Sequence, residues 1–133
     1  MIIPNTDLFI VTSALKTSIG VIDDETRIRQ TIEGLQSLRK TAPDALILWV
    51  DASSKMVDEA TMDQVTQYCN KSISFFGDED LMTLANAGLK SQAEVTLLFK
   101  TLSIIKQHPE LQKMMAGVRR VLKLSGRSNM LNV

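Results

Sequence analysis

The chain has 133 residues, 44% of them hydrophobic, and its 15 basic residues balance its 15 acidic residues. A chain of this length commonly forms one domain with a single hydrophobic core. The balanced charge argues against a general attraction to nucleic acid or to an anionic membrane, so a charged ligand would need a local site.

Cysteine content and the amino terminus indicate the compartment. The only cysteine, Cys69, rules out an internal disulfide framework, and Met1 to Asn5 lack the basic stretch that begins a secretory signal. The longest apolar runs, Leu8 to Val11 and Leu46 to Val50, are far shorter than the roughly 20 residues of a transmembrane helix. We therefore expect a cytoplasmic protein that does not span a membrane.

The same two apolar runs predict the first two strands. Leu8 to Val11 and Leu46 to Val50 are rich in β-branched and aromatic residues, which is typical of strands buried on both faces of a parallel sheet. Between residues 28 and 38, apolar side chains recur at helical spacing, and acidic residues at 23–25 precede them. The pattern predicts a βαβ unit.

A second βα unit follows. Asp58 begins a predicted helix with Met62, Val65 and Cys69 on one face, and this helix leads to a third strand over Ile73 to Phe76.

The next two helices are predicted from their ends. The first begins at the acidic residues 78–80 and ends at Gly88, because glycine tolerates the left-handed conformation of a helix end. Ser91 and Glu94 form a capping-box pattern that predicts the start of a long helix, which Pro109 ends.

A short helical turn over Leu111 to Met115 precedes a fourth predicted strand over Val118 to Leu124. The order β-α-β-α-β-α-α-β contains no repeat and no linker, so residues 1–133 are predicted to form a single domain. Right-handed crossovers and a reversal after the third strand predict an α/β fold. Its mainly parallel four-stranded sheet has the order 3-2-1-4 with helices on both faces, half of a three-layer Rossmann-like fold.

Polar residues after the strands form the predicted ligand site. In an open parallel sheet, ligands bind beyond the carboxyl ends of the strands where the strand order reverses, here between the first and fourth strands. Hydroxyls and a carboxylate there could hold a ribose or a base edge, and an arginine could hold a phosphate. The candidates are Thr12, Ser13, Asp51, Ser53, Ser54, Ser125, Gly126 and Arg127.

Each candidate also has a structural explanation. Thr12 and Ser13 are common turn residues, and Asp51 can cap the next helix. His108, the only histidine, stands at a predicted helix end where it can act as a cap, and Cys69 is most simply a small core residue. No catalytic residue is assigned.

Several known sites are absent from the sequence. No GxGxxG or GxxxxGK[ST] loop occurs, which argues against ordinary dinucleotide enzymes and Walker-type NTPases. Asp51 to Met56 approaches a DxSxS metal motif, but Lys55 replaces the second serine and would repel the metal. A receiver-type phosphoacceptor site would need acidic residues near Thr12 and Gly77. The acidic residues at 23–24 and 78–80 lie at predicted helix starts, where the helix dipole favours them, so no metal site is predicted.

Four stretches carry a resemblance to a known family. They are Ile10-Val11-Thr12-Ser13-Ala14 with the helix pattern from Arg27 to Pro43, the strand end Val50-Asp51-Ala52-Ser53, the helix start Lys90-Ser91-x-x-Glu94, and Val121-x-Lys123-Leu124-Ser125-Gly126-Arg127. In order and spacing they resemble the GT-A glycosyltransferase-like proteins found among marine microbes and their phages, and they span most of the chain.

The resemblance implies the nucleotide-sugar-binding first half of such a transferase. By this resemblance Thr12, Ser13 and Asp51 would line the nucleotide pocket, and Arg127 would lie near the phosphates. Glycosyl transfer by this fold generally needs a divalent cation that neutralises the departing diphosphate. The sequence to Val133 has no downstream acidic metal motif. Mn²⁺ or Mg²⁺ is therefore expected only with a bound nucleotide sugar, and whether the chain is an enzyme stays open.

A second hypothesis is a non-catalytic module that keeps the fold and self-associates. Half of a doubly wound sheet leaves an edge strand and an apolar helix face, and such surfaces tend to be buried by association. The segment from Met130 to Val133 could pair with a second copy. The expected partners are thus a nucleoside diphosphate sugar and a second copy of the chain, but not nucleic acid.

Overall fold

Strands and helices alternate along the chain in a computed structural model that describes residues 6–17 and 23–125. Within these ranges there are four strands and five helices. In order they are β1 (Thr6–Ser13), α1 (Asp24–Thr41), β2 (Leu46–Asp51), α2 (Glu59–Thr66), β3 (Lys71–Ser74), α3 (Glu79–Asn86), α4 (Lys90–Gln107), α5 (Pro109–Met115) and β4 (Val118–Ser125).

The strands form one sheet in the order β3-β2-β1-β4, and all three neighbouring pairs are parallel. The predicted α/β fold and the strand order 3-2-1-4 are confirmed. The order reverses between β1 and β4, as in half of a doubly wound, Rossmann-like sheet. The register places Thr12 between Val50 and Ser125, so the polar ends of three strands meet at one edge of the sheet.

Two cores lie on opposite faces of the sheet, because successive strand side chains point to opposite faces. One face packs against α1 and α2 through Leu35 and Val65, around the fully buried Trp49. The other packs against α3, α4 and α5, with Leu81 and Leu97 among its buried residues. Each large buried side chain stabilises the fold by roughly 1.5–3 kcal/mol, so both helical layers are firmly attached.

Aspartates begin three of the helices. Asp23, Asp58 and Asp78 each accept a hydrogen bond from the backbone N–H three residues on, at 2.7 Å, 3.1 Å and 3.1 Å. These bonds satisfy N–H groups that the first helical turn leaves without partners. The prediction that the acidic clusters at 23–24 and 78–80 cap helices is confirmed.

Gly88 ends α3, as predicted. Its φ is 75°, a conformation that glycine adopts without strain. Its N–H donates to the Ala85 carbonyl, and the N–H of Leu89 donates to the Leu84 carbonyl, both at 3.0 Å. This pair of bonds is the Schellman arrangement, which closes the last turn of α3.

The predicted capping box of the next helix is wrong. Helix α4 begins at Lys90, and its N-cap is Leu89, whose side chain makes no capping hydrogen bond. Because α3 closes so tightly, the helical backbone resumes before Ser91 can take the cap position. Glu94 instead forms an ion pair with Lys123 on β4, at 2.7 Å.

Other boundaries differ from the prediction by a few residues. Strand β3 covers Lys71–Ser74 rather than Ile73 to Phe76, because its register with β2 ends where Asp51 is opposite Ser74. Cys69 lies three residues beyond the end of α2, but it still packs against the core beside α1 and α2.

The outer face of α4 is apolar. Val95, Phe99 and Leu102 are 54%, 68% and 41% exposed, and their spacing places them on the side of the helix opposite the buried Leu97 and Thr101. An apolar face of this kind is the feature expected of half a doubly wound sheet. Among the described helices, none has the combination of length and apolar character that crossing a bilayer requires.

Candidate functional site

A cavity of about 350 Å³ lies at the carboxyl edge of the sheet, with lining residues from α1 on one face and from α3 and α4 on the other. Thr12 and Ser13 at the end of β1, Ser53 and Ser54 after β2, and Ser125 at the end of β4 line it. Its position is the one that the strand order predicted. Its volume falls in the range of small-molecule sites, roughly 300–1,000 Å³.

The structure brings most of the predicted site residues together. Thr12, Ser13 and Ser53 line the cavity, whereas Asp51 does not. Gly126 and Arg127 lie outside the described residues, so the predicted phosphate contact of Arg127 stays a prediction.

Asp51 is a buried carboxylate directly behind the cavity lining, with 1% of its surface exposed. One oxygen accepts hydrogen bonds from the Ser13 hydroxyl at 2.7 Å and from the Leu15 N–H at 3.0 Å. The other accepts from the Ser53 N–H at 3.2 Å and from the Ser53 hydroxyl at 2.5 Å. Asp51 therefore joins the loop after β1 to the loop after β2.

This network fixes how the two serines can meet a ligand. The Ser13 oxygen also accepts from the Trp49 indole N–H at 2.7 Å, and the Ser53 oxygen accepts from the Lys16 N–H at 3.0 Å. A hydroxyl has one donor and two lone pairs. Because both protons are donated to Asp51, each serine offers the cavity only a remaining acceptor lone pair, suited to a ligand hydroxyl or N–H.

Reciprocal ion pairs hold the same two loops. Lys16, after β1, pairs with Asp58 at the start of α2 at 3.2 Å, and Lys55, after β2, pairs with Asp24 in the first turn of α1 at 2.6 Å. The Thr61 hydroxyl, and then the Lys16 ammonium, lower the pKa of Asp58 from 3.8 to about 2. The loops that form the cavity floor are thus positioned before any ligand binds.

The side of the cavity beneath α3 and α4 combines an apolar patch with polar residues. The patch consists of Phe75, Leu81, Met82, Ala85 and Leu97, and the polar residues beside it are Asp78, Asn86, Lys90 and Glu94. The side formed by the β1 and β2 loops and by α1 carries mainly hydroxyl groups. The cavity can therefore hold a ligand with one apolar or planar part and one strongly polar part.

Among the residues that the structure describes, four charged side chains line the cavity, namely Arg27, Asp78, Lys90 and Glu94. Both carboxylates are in ion pairs with lysines outside the lining. Asp78 pairs with Lys100 at 3.1 Å, and Glu94 pairs with Lys123 at 2.7 Å. Desolvation opposes ionisation of Asp78, but the Leu81 N–H and the Lys100 ammonium outweigh it and lower its pKa.

The two cations come from helix starts at this edge of the sheet. Arg27 lies in the first turns of α1, and Lys90 is the first residue of α4. Because the N-cap residue of α4, Leu89, has no side chain that can accept their hydrogen bonds, the first N–H groups of α4 add partial positive charge near Lys90. Neither cation directly follows a strand, so the pattern of polar residues at strand ends did not identify them. The signal that could have found them is a basic residue in the first turn of a helix that begins at the switch-point edge.

Other reactive side chains lie elsewhere. His108 is at the carboxyl end of α4, opposite the end that meets the cavity, where it also precedes α5. Burial raises the pKa of the Cys69 thiol to about 12. Over residues 6–17 and 23–125, no three His, Cys, Asp or Glu side chains are grouped as metal ligands.

Comparison with models of protein families, with curated proteins and with solved structures finds no match to this chain. Fold and geometry alone define the class: an open, doubly wound α/β domain with a ligand-sized cavity at its switch point.

Proposed function

We propose that the chain binds a nucleoside diphosphate, and through it a nucleotide sugar, as a glycosyltransferase-like domain. The observation that carries the proposal is the cavity at the switch point, which combines serine and threonine hydroxyls with Arg27 and Lys90. Ligands of open α/β sheets bind at this position, and guanidinium and ammonium groups are the usual partners of phosphate.

Each part of such a ligand has a chemically matched surface. A planar base can pack on the apolar patch beneath α3 and α4, near Phe75. The lone pairs of Ser13 and Ser53 can accept hydrogen bonds from ribose hydroxyls or base N–H groups. Arg27 and Lys90 can then hold the diphosphate. In this arrangement Asp51 contributes by orienting the two serines rather than by touching the ligand.

Thermal unfolding across a panel of ligands tests the proposal, with UDP, other nucleoside diphosphates, nucleotide sugars and orthophosphate. A ligand present at 100 times its Kd stabilises the folded state by about 2.7 kcal/mol, so UDP should raise Tm by roughly 10 °C. Failure of every nucleotide and nucleotide sugar to raise Tm would refute the proposal.

Matched variants connect the rise in Tm to the cavity. Arg27→Ala and Lys90→Ala should each reduce the rise in Tm that UDP causes. Arg29→Ala on α1 and Lys106→Ala on α4 remove the same charges from the same helices. Because both residues lie outside the cavity lining, these variants should leave the rise in Tm unchanged.

A second candidate function is that of a self-associating module. The exposed stripe of Val95, Phe99 and Leu102 favours it, because a large apolar helix face in water is usually covered. Two copies of α4 packed antiparallel about a twofold axis would bring Val95 near the partner's Leu102 and the two Phe99 rings together. The segment from Met130 to Val133, which was predicted to pair with a second copy, lies outside the described residues. Among those that are described, Arg119, Arg120 and Lys123 on β4 disfavour strand-to-strand pairing, so the helices are the better contact.

Sedimentation over a range of protein concentrations tests this candidate. The wild-type chain should dimerise, and Phe99→Glu should shift it to monomer. Met56→Glu is the matched control, because Met56 is 74% exposed but lies on the loop after β2. A wild-type chain that stays monomeric at every concentration would exclude self-association.

A further inference from the structure

We propose that Ser13 and Ser53 accept hydrogen bonds from the two ribose hydroxyls of the ligand, so that the cavity selects ribonucleotides over nucleotides that lack this diol. Asp51 sets the preference without touching the ligand, because it accepts the hydroxyl hydrogen bonds of both serines. The inference rests on the proposed function and specifies which part of the ligand the hydroxyl side of the cavity recognises. It concerns binding and assigns no reaction.

The direction of the hydrogen bonds at both serines is set by groups that can only donate. The Trp49 indole N–H donates to the Ser13 oxygen at 2.7 Å. The backbone N–H of Lys16 donates to the Ser53 oxygen at 3.0 Å. Each oxygen of Asp51 likewise accepts one backbone N–H, at 3.0 Å and 3.2 Å. Both serine protons are therefore directed at the carboxylate, at 2.7 Å and 2.5 Å.

The two serines consequently act on a ligand as acceptors. Each oxygen keeps one lone pair after its proton and its other lone pair are used. Turning a serine proton toward the cavity would break a charge-assisted hydrogen bond to Asp51, which is 1% exposed and has no water to replace it. A phosphate oxygen placed against these serines would face lone pairs alone. This side of the cavity thus favours ligand groups that donate.

Two adjacent acceptors suit a diol better than the edge of a base. The two serine oxygens are neighbours, because the two oxygens of one carboxylate hold them. The ribose hydroxyls are also neighbours, and each can turn its proton toward an acceptor. The uracil edge has one N–H between two carbonyl oxygens, so a carbonyl would face a serine lone pair. The base has its own surface in the apolar patch around Phe75.

Titration calorimetry of the full chain with UDP and with 2′,3′-dideoxy-UDP tests the inference, because the two ligands share the base and the diphosphate. The dideoxy ligand should bind about tenfold more weakly, the loss expected for two hydrogen bonds between neutral groups. The ratio of the two Kd values is the measure of diol recognition. A general weakening of the site changes both Kd values and leaves this ratio unchanged.

Two variants test the roles of the serines and of Asp51. In Asp51→Asn, the NH₂ group can donate to one serine oxygen, so the proton of that serine turns to the cavity and one acceptor is lost. Ser13→Ala removes one acceptor directly. In each variant the ratio should fall from about tenfold to about threefold, while the Kd of the dideoxy ligand stays within about twofold of the wild type.

Matched controls carry the same substitutions at exposed positions outside the cavity lining. They are Asp63→Asn on α2 and Ser103→Ala on α4, and both should keep the ratio of about tenfold. Circular dichroism of each variant establishes that it is folded. Should Asp51→Asn not fold, Ser13→Ala still tests whether a serine oxygen reads the diol.

Each other outcome is decisive. Equal binding of UDP and the dideoxy ligand to the wild type overturns the inference and leaves the proposed function intact. An unchanged ratio in a folded Asp51→Asn or Ser13→Ala variant also overturns it, because other groups then recognise the ribose. Loss of dideoxy binding in folded Asp51→Asn would show that Asp51 acts on the rest of the ligand, against the inference. No binding of either ligand overturns the proposed function, and the inference with it.

Discussion

The substitution Asp51→Asn tests whether the buried carboxylate holds the cavity loops together. Asparagine has nearly the same shape, but it has only one acceptor oxygen and adds an NH₂ donor. If that oxygen keeps its bonds to Ser13 and Leu15, the NH₂ group faces the Ser53 N–H, which then has no acceptor. The substitution thus leaves the shape of the site intact and removes half of its acceptors.

The expected loss follows from the hydrogen bonds of Asp51. A buried donor left without a partner costs about 1–3 kcal/mol, and the remaining bonds lose the strength that an ionised acceptor gives them. Together these effects should lower the free energy of unfolding by about 3 kcal/mol. For a chain of this size, Tm should fall by roughly 10 °C.

Urea unfolding followed by circular dichroism measures this loss, and Asp63→Asn is the control. Asp63 is exposed on α2, and its replacement removes the same charge and should change stability by less than about 0.5 kcal/mol. If Asp51→Asn proved as stable as this control, the carboxylate would not be what joins the two loops.

Three further predictions concern other parts of the molecule. Gly88→Ala should lower the free energy of unfolding, measured in urea, by about 1 kcal/mol, because φ is 75° at this position. The added Cβ would meet no atom within 4 Å, so the loss would come from the backbone conformation alone. An unchanged free energy of unfolding would contradict this reasoning. Burial raises the pKa of the Cys69 thiol to about 12, so at pH 8 Cys69 should react with a disulfide reagent far more slowly in the folded chain than in urea. Equal rates in the two conditions would refute this prediction. Folding lowers the pKa of Asp58 from 3.8 to about 2, so its stabilisation should be present above pH 3.8 and be lost as pH falls toward 2. Acid unfolding of Asp58→Asn should lack that part of the pH dependence, and a profile identical to the wild type would contradict it.

The sheet was predictable because its signals are local. The continuous apolar runs that include Leu8 and Trp49 are typical of strands buried on both faces, and right-handed crossovers with a reversal after the third strand then give the order 3-2-1-4. The end of α3 at Gly88 was predictable for the same reason, since one residue type suits that backbone conformation. The start of α4 was not, because Ser91 and Glu94 match the capping pattern while the tight turn before them decides where the helix begins.

Some residues of the candidate site could likewise be placed from the sequence, and others could not. Thr12, Ser13 and Ser53 could be placed from the sequence, because the carboxyl ends of parallel strands meet at one edge. That Asp51 lies behind the lining could not, since it depends on which loop groups donate to its carboxylate. Lys90 is far from the strands in sequence, and only the packing of α4 brings it to the cavity.

A titration of ¹⁵N-labelled protein with UDP, followed by amide chemical shifts, shows where the ligand binds. If the cavity is the site, the shifting amides should cluster at the carboxyl edge of the sheet, at Thr12, Ser13, Ser53 and the first turn of α4 around Lys90. Amides at the opposite edge, near His108, should stay unchanged. Shifts that cluster away from the cavity, or no shifts at millimolar UDP, would contradict the claim that this cavity binds a nucleoside diphosphate.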